Sequence, residues 1–401
     1  MSDYMRLVNY EYKKILSKKS VKITLIFAIL YTVICSIGTL LGSYQTYESN
    51  YEGMIKDRTY ARALTGRLLD ETLINEAVNA YKKIPNSDSY HETPEYQTYA
   101  RMYNSVYQAV RPAFNTQSGR FNMNDFQQLT MKELEQFYLK RQEQLIRYMD
   151  TIGMREKVIQ EVIQQNTNIK TPLVFGYTGG YSNFFTLSSN LGLTISFVLA
   201  ICIAPIFCGE YTTGVDQLIL SSKYGKNRVI MAKLFTGFTL SAIITLISSF
   251  LSFGLSLVIF GADGSNAPLQ LENFLCPYPL TMAKTAVLLT ICVFLASLMT
   301  AAIVMSLSAR LKTPFGVIIL VVLLLIIPMV VYVPQTELGL YQLFRLFPTQ
   351  MISLDSVTNL ILYDLFGLIV KPYVFLPLFS IGVCTILTPI AYHTFRKHQV
   401  S

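Results

Sequence analysis

Residues 187–208 read LSSNLGLTISFVLAICIAPIFC and contain no Asp, Glu, Lys or Arg. Further uncharged apolar runs occupy residues 23–42, 234–260, 286–308, 314–333 and 372–392. A helix of about 20 such residues crosses a hydrocarbon core of roughly 30 Å and satisfies its own backbone polar groups. The sequence therefore predicts an all-α membrane protein with six transmembrane helices.

The composition agrees with this prediction. Apolar residues make up 52% of the chain and charged residues 14%, against roughly 25% charged in an ordinary soluble domain. The run at 23–42 is longer than the 7–15 residue core of a signal peptide, and no small-x-small cleavage site follows it. We therefore expect this run to be retained as the first helix.

Outside residues 43–182, where basic and acidic residues balance, Lys and Arg are concentrated in the N-terminal tail, in residues 209–233, after the run at 286–308 and near the C-terminus. Because basic residues collect on the cytoplasmic side of a membrane, both termini are expected in the cytoplasm. We expect a multi-pass protein of the cell membrane, in a bacterial plasma membrane. The net charge of +8 suits anionic membrane lipids as partners, so a nucleic-acid partner is not expected.

The distribution of apolar and charged residues divides the chain into four segments. Residues 1–21 alternate basic and apolar side chains at helical spacing, which predicts an amphipathic N-terminal helix at the membrane interface. Residues 22–42 form helix 1, residues 43–182 an extracellular helical domain, and residues 183–401 helices 2–6. Within the last segment, residues 337–371 are apolar but interrupted by Asp355 and Asp364, which predicts short helices dipping into the outer leaflet.

The sequence lacks the residues that several classes of transport and enzyme chemistry require. The apolar runs carry no ionisable group that would serve a proton- or ion-coupled transporter. The chain has no GxxxxGK[ST], HExxH or GxSxG motif. It has three His, and its six Cys form no CxxC pair. We therefore expect no catalytic, cofactor-binding or metal-binding residue and no enzyme activity on this chain.

A membrane protein that has no energy source of its own is expected to use energy supplied by a partner protein. Residues 209–233, GEYTTGVDQLILSSKYGKNRVIMAK, are far longer than a turn requires. Leu218 and Ile219 follow polar residues, which predicts a short amphipathic helix exposed to the cytoplasm. This segment is the predicted docking surface.

The same segment resembles the first cytoplasmic loop of the permease subunit of ABC transporters of the type-2 exporter class, whose pattern is E-x-x-x-G-x…-L-L-S…-R-x-x-x-x-x-x-K. Glu210 and Gly214 match its opening, and Lys233 matches its end. Lys226 stands where the family usually has Arg, Arg228 follows two residues later, and the common Pro is absent. The six runs and the N-terminal helix are also similar to that family, whereas residues 43–182 are an insertion.

The resemblance implies a dimeric permease, made with an identical or homologous protomer, that docks cytoplasmic ABC ATPase subunits. ATP and magnesium would bind on that partner, and the substrate would be an amphiphile, a peptide or a hydrophobic drug. The ATPase-docking loop would use Glu210, Gly214, Leu218, Ile219, Lys226, Arg228 and Lys233. Glu210 is expected to pair with the partner, or with Lys226 or Arg228. A second hypothesis remains open, in which the outer domain of a membrane-tethered receptor binds a ligand without transport.

Overall fold

The computed structural model describes residues 3–38, 40, 50–87, 89–115, 121–222 and 224–398. The predicted boundary at 42/43, the extreme termini and Lys223 of the predicted loop lie outside these residues. The α-helices are α1 Asp3–Leu16, α2 Lys19–Gly38, α3 Asn50–Ala63, α4 Glu71–Tyr81, α5 Asn104–Val110, α6 Met123–Gln127, α7 Met131–Glu135, α8 Phe137–Thr151, α9 Glu156–Thr167, α10 Gly179–Ile203, α11 Pro205–Thr213, α12 Val215–Ser221, α13 Ile230–Phe260, α14 Met282–Ser308, α15 Pro314–Val330, α16 Leu338–Phe344, α17 Leu354–Thr358 and α18 Pro372–Arg396. Two strands, β1 Tyr363–Leu365 and β2 Leu368–Val370, form an antiparallel hairpin.

Five helical segments of the described residues are long and apolar enough to cross a membrane. They are Lys19–Gly38, Gly179–Thr213, Gly225–Phe260, Met282–Ser308 and Pro372–Arg396. The remaining predicted span, α15, has 17 residues, about 25 Å at 1.5 Å per residue. It ends early because Val331 has extended backbone angles. By length and composition these five agree with the predicted membrane-spanning helices, and α15 is a shorter apolar helix.

The bundle has two ends, which we name by what they carry. The terminal face carries α1, α11, α12 and the last residues of α18. The insertion face carries the inserted domain, residues 50–178. The helix that follows the insertion starts at Gly179, four residues before the predicted boundary at 183.

The inserted domain is mostly helical and contains α3 to α9. Its own core includes Tyr81, Tyr107 and Phe126, whose rings meet at centroid distances of 4.9–5.2 Å. Glu133 accepts a hydrogen bond from the Thr130 backbone N–H at 3.0 Å, as the glutamate of a capping box does at a helix start, and a second from the Thr130 hydroxyl at 2.8 Å.

A second core joins the inserted domain to the bundle. Leu145 and Val162 of the insertion pack in one cluster with Tyr278 and Leu289. Arg141 is 4% exposed and donates to the carbonyl oxygens of Phe274 at 3.0 Å and Cys276 at 2.9 Å. The second half of the insertion therefore shares its core with the connections between membrane helices.

Residues 337–371, predicted as dipping helices, are helical only in their first part, and their depth in the outer leaflet stays a prediction. Helices α16 and α17 are present, but the segment then forms the β1–β2 hairpin. Asp364 closes the hairpin turn by accepting a hydrogen bond from the Gly367 N–H at 2.8 Å, and its other oxygen pairs with Arg155 at 2.6 Å. Of the two acidic residues that interrupt the apolar pattern, Asp355 lies in the first turn of α17 and Asp364 in the hairpin. The hairpin was not predicted, because a short strand pair shows no helical periodicity.

Candidate functional site

The predicted loop at residues 209–233 begins with a helix break inside the second membrane segment. Pro205 has no backbone N–H, so α10 ends at Ile203 and α11 begins. The Ser308 hydroxyl from α14 accepts hydrogen bonds from the N–H groups of Phe207 and Cys208, both at 3.1 Å, and donates to the Ala204 carbonyl at 2.5 Å. One side chain thereby satisfies backbone groups that the break would leave unpaired in an apolar interior.

Gly214 lies at the bend between α11 and α12. Its φ of +67° is in the left-handed region, where a residue with a Cβ is strained. Because the chain reverses there, α12 lies as a separate short helix on the terminal face.

Helix α12 presents different side chains inward and outward. Leu220 is buried, Ile219 is half-buried and Leu218 is 71% exposed. Asp216 is also buried, and its carboxylate lies 3.6 Å from the His398 ring nitrogen Nε2. The short predicted helix is therefore present, with an apolar side chain directed away from the protein.

Glu210 and Lys233 lie inside the protein and bond to each other. Their side chains are 1% and 0% exposed, and Lys233 Nζ lies 2.5 Å from Glu210 Oε1. Lys233 Nζ also lies 2.9 Å from a Glu11 carboxylate oxygen, and Lys14 pairs with the same Glu210 oxygen. We name Glu11, Lys14, Glu210 and Lys233 the ionic cluster. It connects α1, α11 and α13.

The expected pairing of Glu210 with Lys226 or Arg228 is therefore wrong. Those two side chains are exposed, and the Arg228 guanidinium lies 4.5 Å from the centre of the Tyr224 ring. The sequence pattern placed Glu210 in a loop, whereas α11 continues the membrane helix and turns this carboxylate toward α1 and α13.

The ionic cluster balances two carboxylates against two ammonium groups in a space that excludes most water. Only Lys14, with a side chain 31% exposed, reaches solvent appreciably. Burial, together with the neighbouring charge of Lys14, lowers the pKa of Lys18 beside the cluster. Among the described residues, Glu210 Oε2 is buried without a hydrogen-bond partner. A buried pair of this type is strongly sensitive to the loss of one member.

The amphipathic N-terminal helix packs onto this cluster. Val8 and Ile15 are buried, while Tyr10 on the opposite side is 64% exposed. The Tyr12 hydroxyl donates to the Thr239 hydroxyl at 2.5 Å. Helix α1 is therefore fixed to α13 both by apolar contacts and by charge.

The end of the loop is packed closely, and the C-terminal helix holds it. A Cβ added to Gly225 would lie 1.5 Å from the Ile219 carbonyl oxygen, so this position requires glycine. The Tyr392 hydroxyl of α18 lies 2.9 Å from Asn227 Oδ1. The ring of Tyr211 stacks on Phe395 at 5.6 Å. The terminal face is thus a connected unit of α1, α11–α13 and α18.

The structure divides the predicted docking residues into two groups. Glu210 and Lys233 are internal, and Gly214 forms the bend between two helices. Leu218, Lys226 and Arg228 are exposed, with Ile219 at the edge. Glu11, Ser308 and His398 were not found from the sequence. The only signal for Glu11 was that it is one of two acidic residues, with Asp3, in an otherwise basic amphipathic tail.

The described residues contain no group of three His, Cys, Asp or Glu side chains that could hold a metal ion. Residues 22–388 match the sequence model of a family described as "ABC-2 family transporter protein". No curated protein and no solved structure matches the chain.

Proposed function

Because the chain belongs to the ABC-2 transporter family, we propose that its terminal face receives an ATPase subunit through α12 and converts the movement of that subunit into movement of the membrane helices. The chain is the membrane permease of an ABC transporter, and this family works with an ATPase subunit. The docking site, the direction of transport and the substrate belong to the proposal.

The observation that carries the proposal is an exposed apolar side chain on α12, a helix that Gly214 joins to α11 and its buried Glu210. Leu218 is 71% exposed on α12, and Val215 beside it is 38% exposed. Lys226 and Arg228 flank these side chains with positive charge. An apolar centre with a charged rim is the usual composition of a protein–protein interface.

A push on α12 would reach the membrane helices by two routes. The first passes through the bend at Gly214 to α11, and through the break at Pro205 to α10. The second passes through the ionic cluster from α11 to α13 and α1. Because the cluster resists separation of its charges, α1, α11 and α13 are expected to move as one body.

We also propose a topology and an assembly for the protein. Helix α15 begins beside the terminal face and ends at the insertion face, where Tyr148 of the insertion bonds Gln335, which supports α15 as a sixth span. The basic N-terminal tail and the basic loop at residues 209–233 support a terminal face on the cytoplasmic side of a bacterial plasma membrane. Both termini would then lie in the cytoplasm. We propose a dimer of permease protomers that exports an amphiphile, a peptide or a hydrophobic drug, with ATP and magnesium bound on the ATPase.

The receptor hypothesis is less favoured, because the family match covers the membrane segments of a transporter. A receptor would require ligand binding by the inserted domain without any ATPase partner. Co-purification of an ATPase subunit separates the two hypotheses.

The test removes the exposed Leu218 side chain and the half-buried Ile219 side chain of α12. Leu218→Ala combined with Ile219→Ala should lower the amount of ATPase that co-purifies per permease. Removing one buried leucine side chain from an interface costs about 1.5–3 kcal/mol, which corresponds to about a tenfold to hundredfold weaker complex. ATP turnover in lipid nanodiscs should fall in parallel.

The matched control is Leu139→Ala, because Leu139 is 61% exposed on the inserted domain, away from the terminal face. This variant should retain partner and turnover. Wild-type partner binding and turnover in the α12 variant would show that this helix is an ordinary connection.

A further inference from the structure

The β1–β2 hairpin on the insertion face has an exposed apolar tip. Residues Phe366 and Gly367 form its two-residue turn, with Leu365 paired to Leu368. Phe366 is fully exposed, at 108% of its reference area, while Leu368 is 66% and Leu365 39% exposed. A soluble protein rarely presents three adjacent large apolar side chains in this way.

The backbone of the turn is also unusual. Phe366 has a φ of +53° and Gly367 a φ of +93°, the left-handed pair that a tight hairpin turn requires. Glycine accepts this conformation freely, whereas a bulky residue is strained in it. No ring contact in the described residues involves Phe366, so the structure shows no packing within this chain that would compensate for the strain.

Contacts with the membrane helices place the hairpin near the bilayer surface. The ring of Tyr363, at the start of β1, lies 4.3 Å from the ring of Phe375 in the first turn of α18. Strand β2 ends at Val370, and only Lys371 separates it from α18. The hairpin therefore leaves the bundle at the level where α18 enters the membrane.

Helix α9 of the insertion holds the hairpin along its length. At the tip, Arg155 pairs with Asp364 at 2.6 Å and Lys157 donates to the Gly367 carbonyl at 2.9 Å. At the base, Lys371 donates to Gln165 at 2.7 Å. Just before α9, Ile152 lines a cavity shared with residues 328–335 at the end of α15. Both ends of the hairpin are thus tied to the level at which membrane helices end.

We propose that the tip formed by Leu365, Phe366 and Leu368 inserts into the lipid leaflet on the side of the inserted domain and anchors that domain to the bilayer. The occupant of this surface is phospholipid. The apolar tip enters the acyl boundary, and the cationic side chains of Arg155, Lys157 and Lys371 lie at the level of the phosphates.

The charges and further exposed apolar side chains favour lipid over a second protein. The Arg155 side chain is 77% exposed and Lys157 is exposed, and each has N–H groups beyond those bonded to the hairpin. At the end of α15, which shares a cavity with Ile152, Val330 and Tyr332 are also 75% and 86% exposed. Apolar side chains next to basic ones are the pattern of an interfacial membrane anchor.

The chain contains no tryptophan, which permits a direct test. Phe366→Trp introduces a single tryptophan at an exposed position, so the fold is not at risk. The full-length variant is placed in nanodiscs of phosphatidylglycerol and phosphatidylcholine, with and without nitroxide-labelled phospholipid. Leu139→Trp, at an exposed site of the inserted domain, is the matched control.

The proposal predicts a blue-shifted emission for Phe366→Trp, loss of intensity with nitroxide lipid, and little quenching by aqueous acrylamide. The control should show the reverse. Acrylamide quenching equal to the control would show that the tip lies in water. Blue-shifted emission that neither quencher reduces would show that protein covers the tip, and either result overturns the proposal. The measurement needs no ATPase and is independent of the proposed docking site.

Discussion

Removal of the Lys233 charge is the most direct perturbation of the ionic cluster. Lys233→Met keeps the length of the side chain but leaves Glu11 and Glu210 with Lys14 as their remaining partner within the cluster. Because both carboxylates are almost completely buried, with side chains 6% and 1% exposed, solvent cannot replace the lost charge. Removing one member of such a buried pair costs about 3–5 kcal/mol.

This loss is measurable as a lower melting temperature. At an unfolding entropy of about 2.1 cal/mol/K per residue, each kcal/mol changes the melting temperature of a chain this long by about 1 °C. Lys233→Met should therefore melt about 4–6 °C below the wild type in nanodiscs. Lys284→Met, which removes an exposed lysine at the other end of the bundle, should change it by less than about 1 °C, the usual range for a surface substitution.

A double-mutant cycle separates charge from packing. Glu210→Gln alone leaves two lysines with one carboxylate, whereas Glu210→Gln combined with Lys233→Met leaves Glu11 and Lys14, which balance. The double variant should therefore lose less stability than the sum of the two single variants. Additive losses of under about 1 kcal/mol each would refute the reasoning, since exposed ion pairs behave in that way.

Three further predictions test other parts of the structure. Ser308→Ala should lower the stability by about 1–3 kcal/mol for each unpaired N–H at the helix break, and an unchanged melting temperature would contradict the role of this hydroxyl. Burial opposes ionisation of Asp263, but Arg62 and Arg58 outweigh it and hold the pKa of Asp263 below its ordinary value of 3.8. A lowered pKa stabilises the fold above the ordinary value. Asp263→Asn should therefore melt below the wild type at pH 7, and the difference should shrink as the pH falls below about 4. In a cysteine-free background, a cysteine at Asn266 should react with an impermeant thiol reagent on intact cells and one at Lys312 should not; the opposite result would reverse the proposed orientation.

The inserted domain shows which structural features a local sequence pattern predicts and which it does not. Its helical character was predicted from the sequence, because helical periodicity depends on residues within one or two turns of one another. The shared core was not predicted. Arg141 and Cys276 are 135 positions apart in the chain, and no local pattern indicates that this arginine bonds a loop between membrane helices. Expressed alone, the domain would lose these contacts.

The sequence by itself determined the membrane helices, the amphipathic N-terminus and the family pattern in residues 209–233. These features follow from hydrophobicity and periodicity, which are local properties of the chain. Only the tertiary structure decided what the charged residues do. Glu210 and Lys233 are partners because a proline break and a helix bend bring α11 beside α13 and α1, and Leu218 becomes the exposed residue because Leu220 occupies the buried side of the same short helix. Pairing between distant charges depends on how helices pack, and a single sequence carries no local signal of that packing.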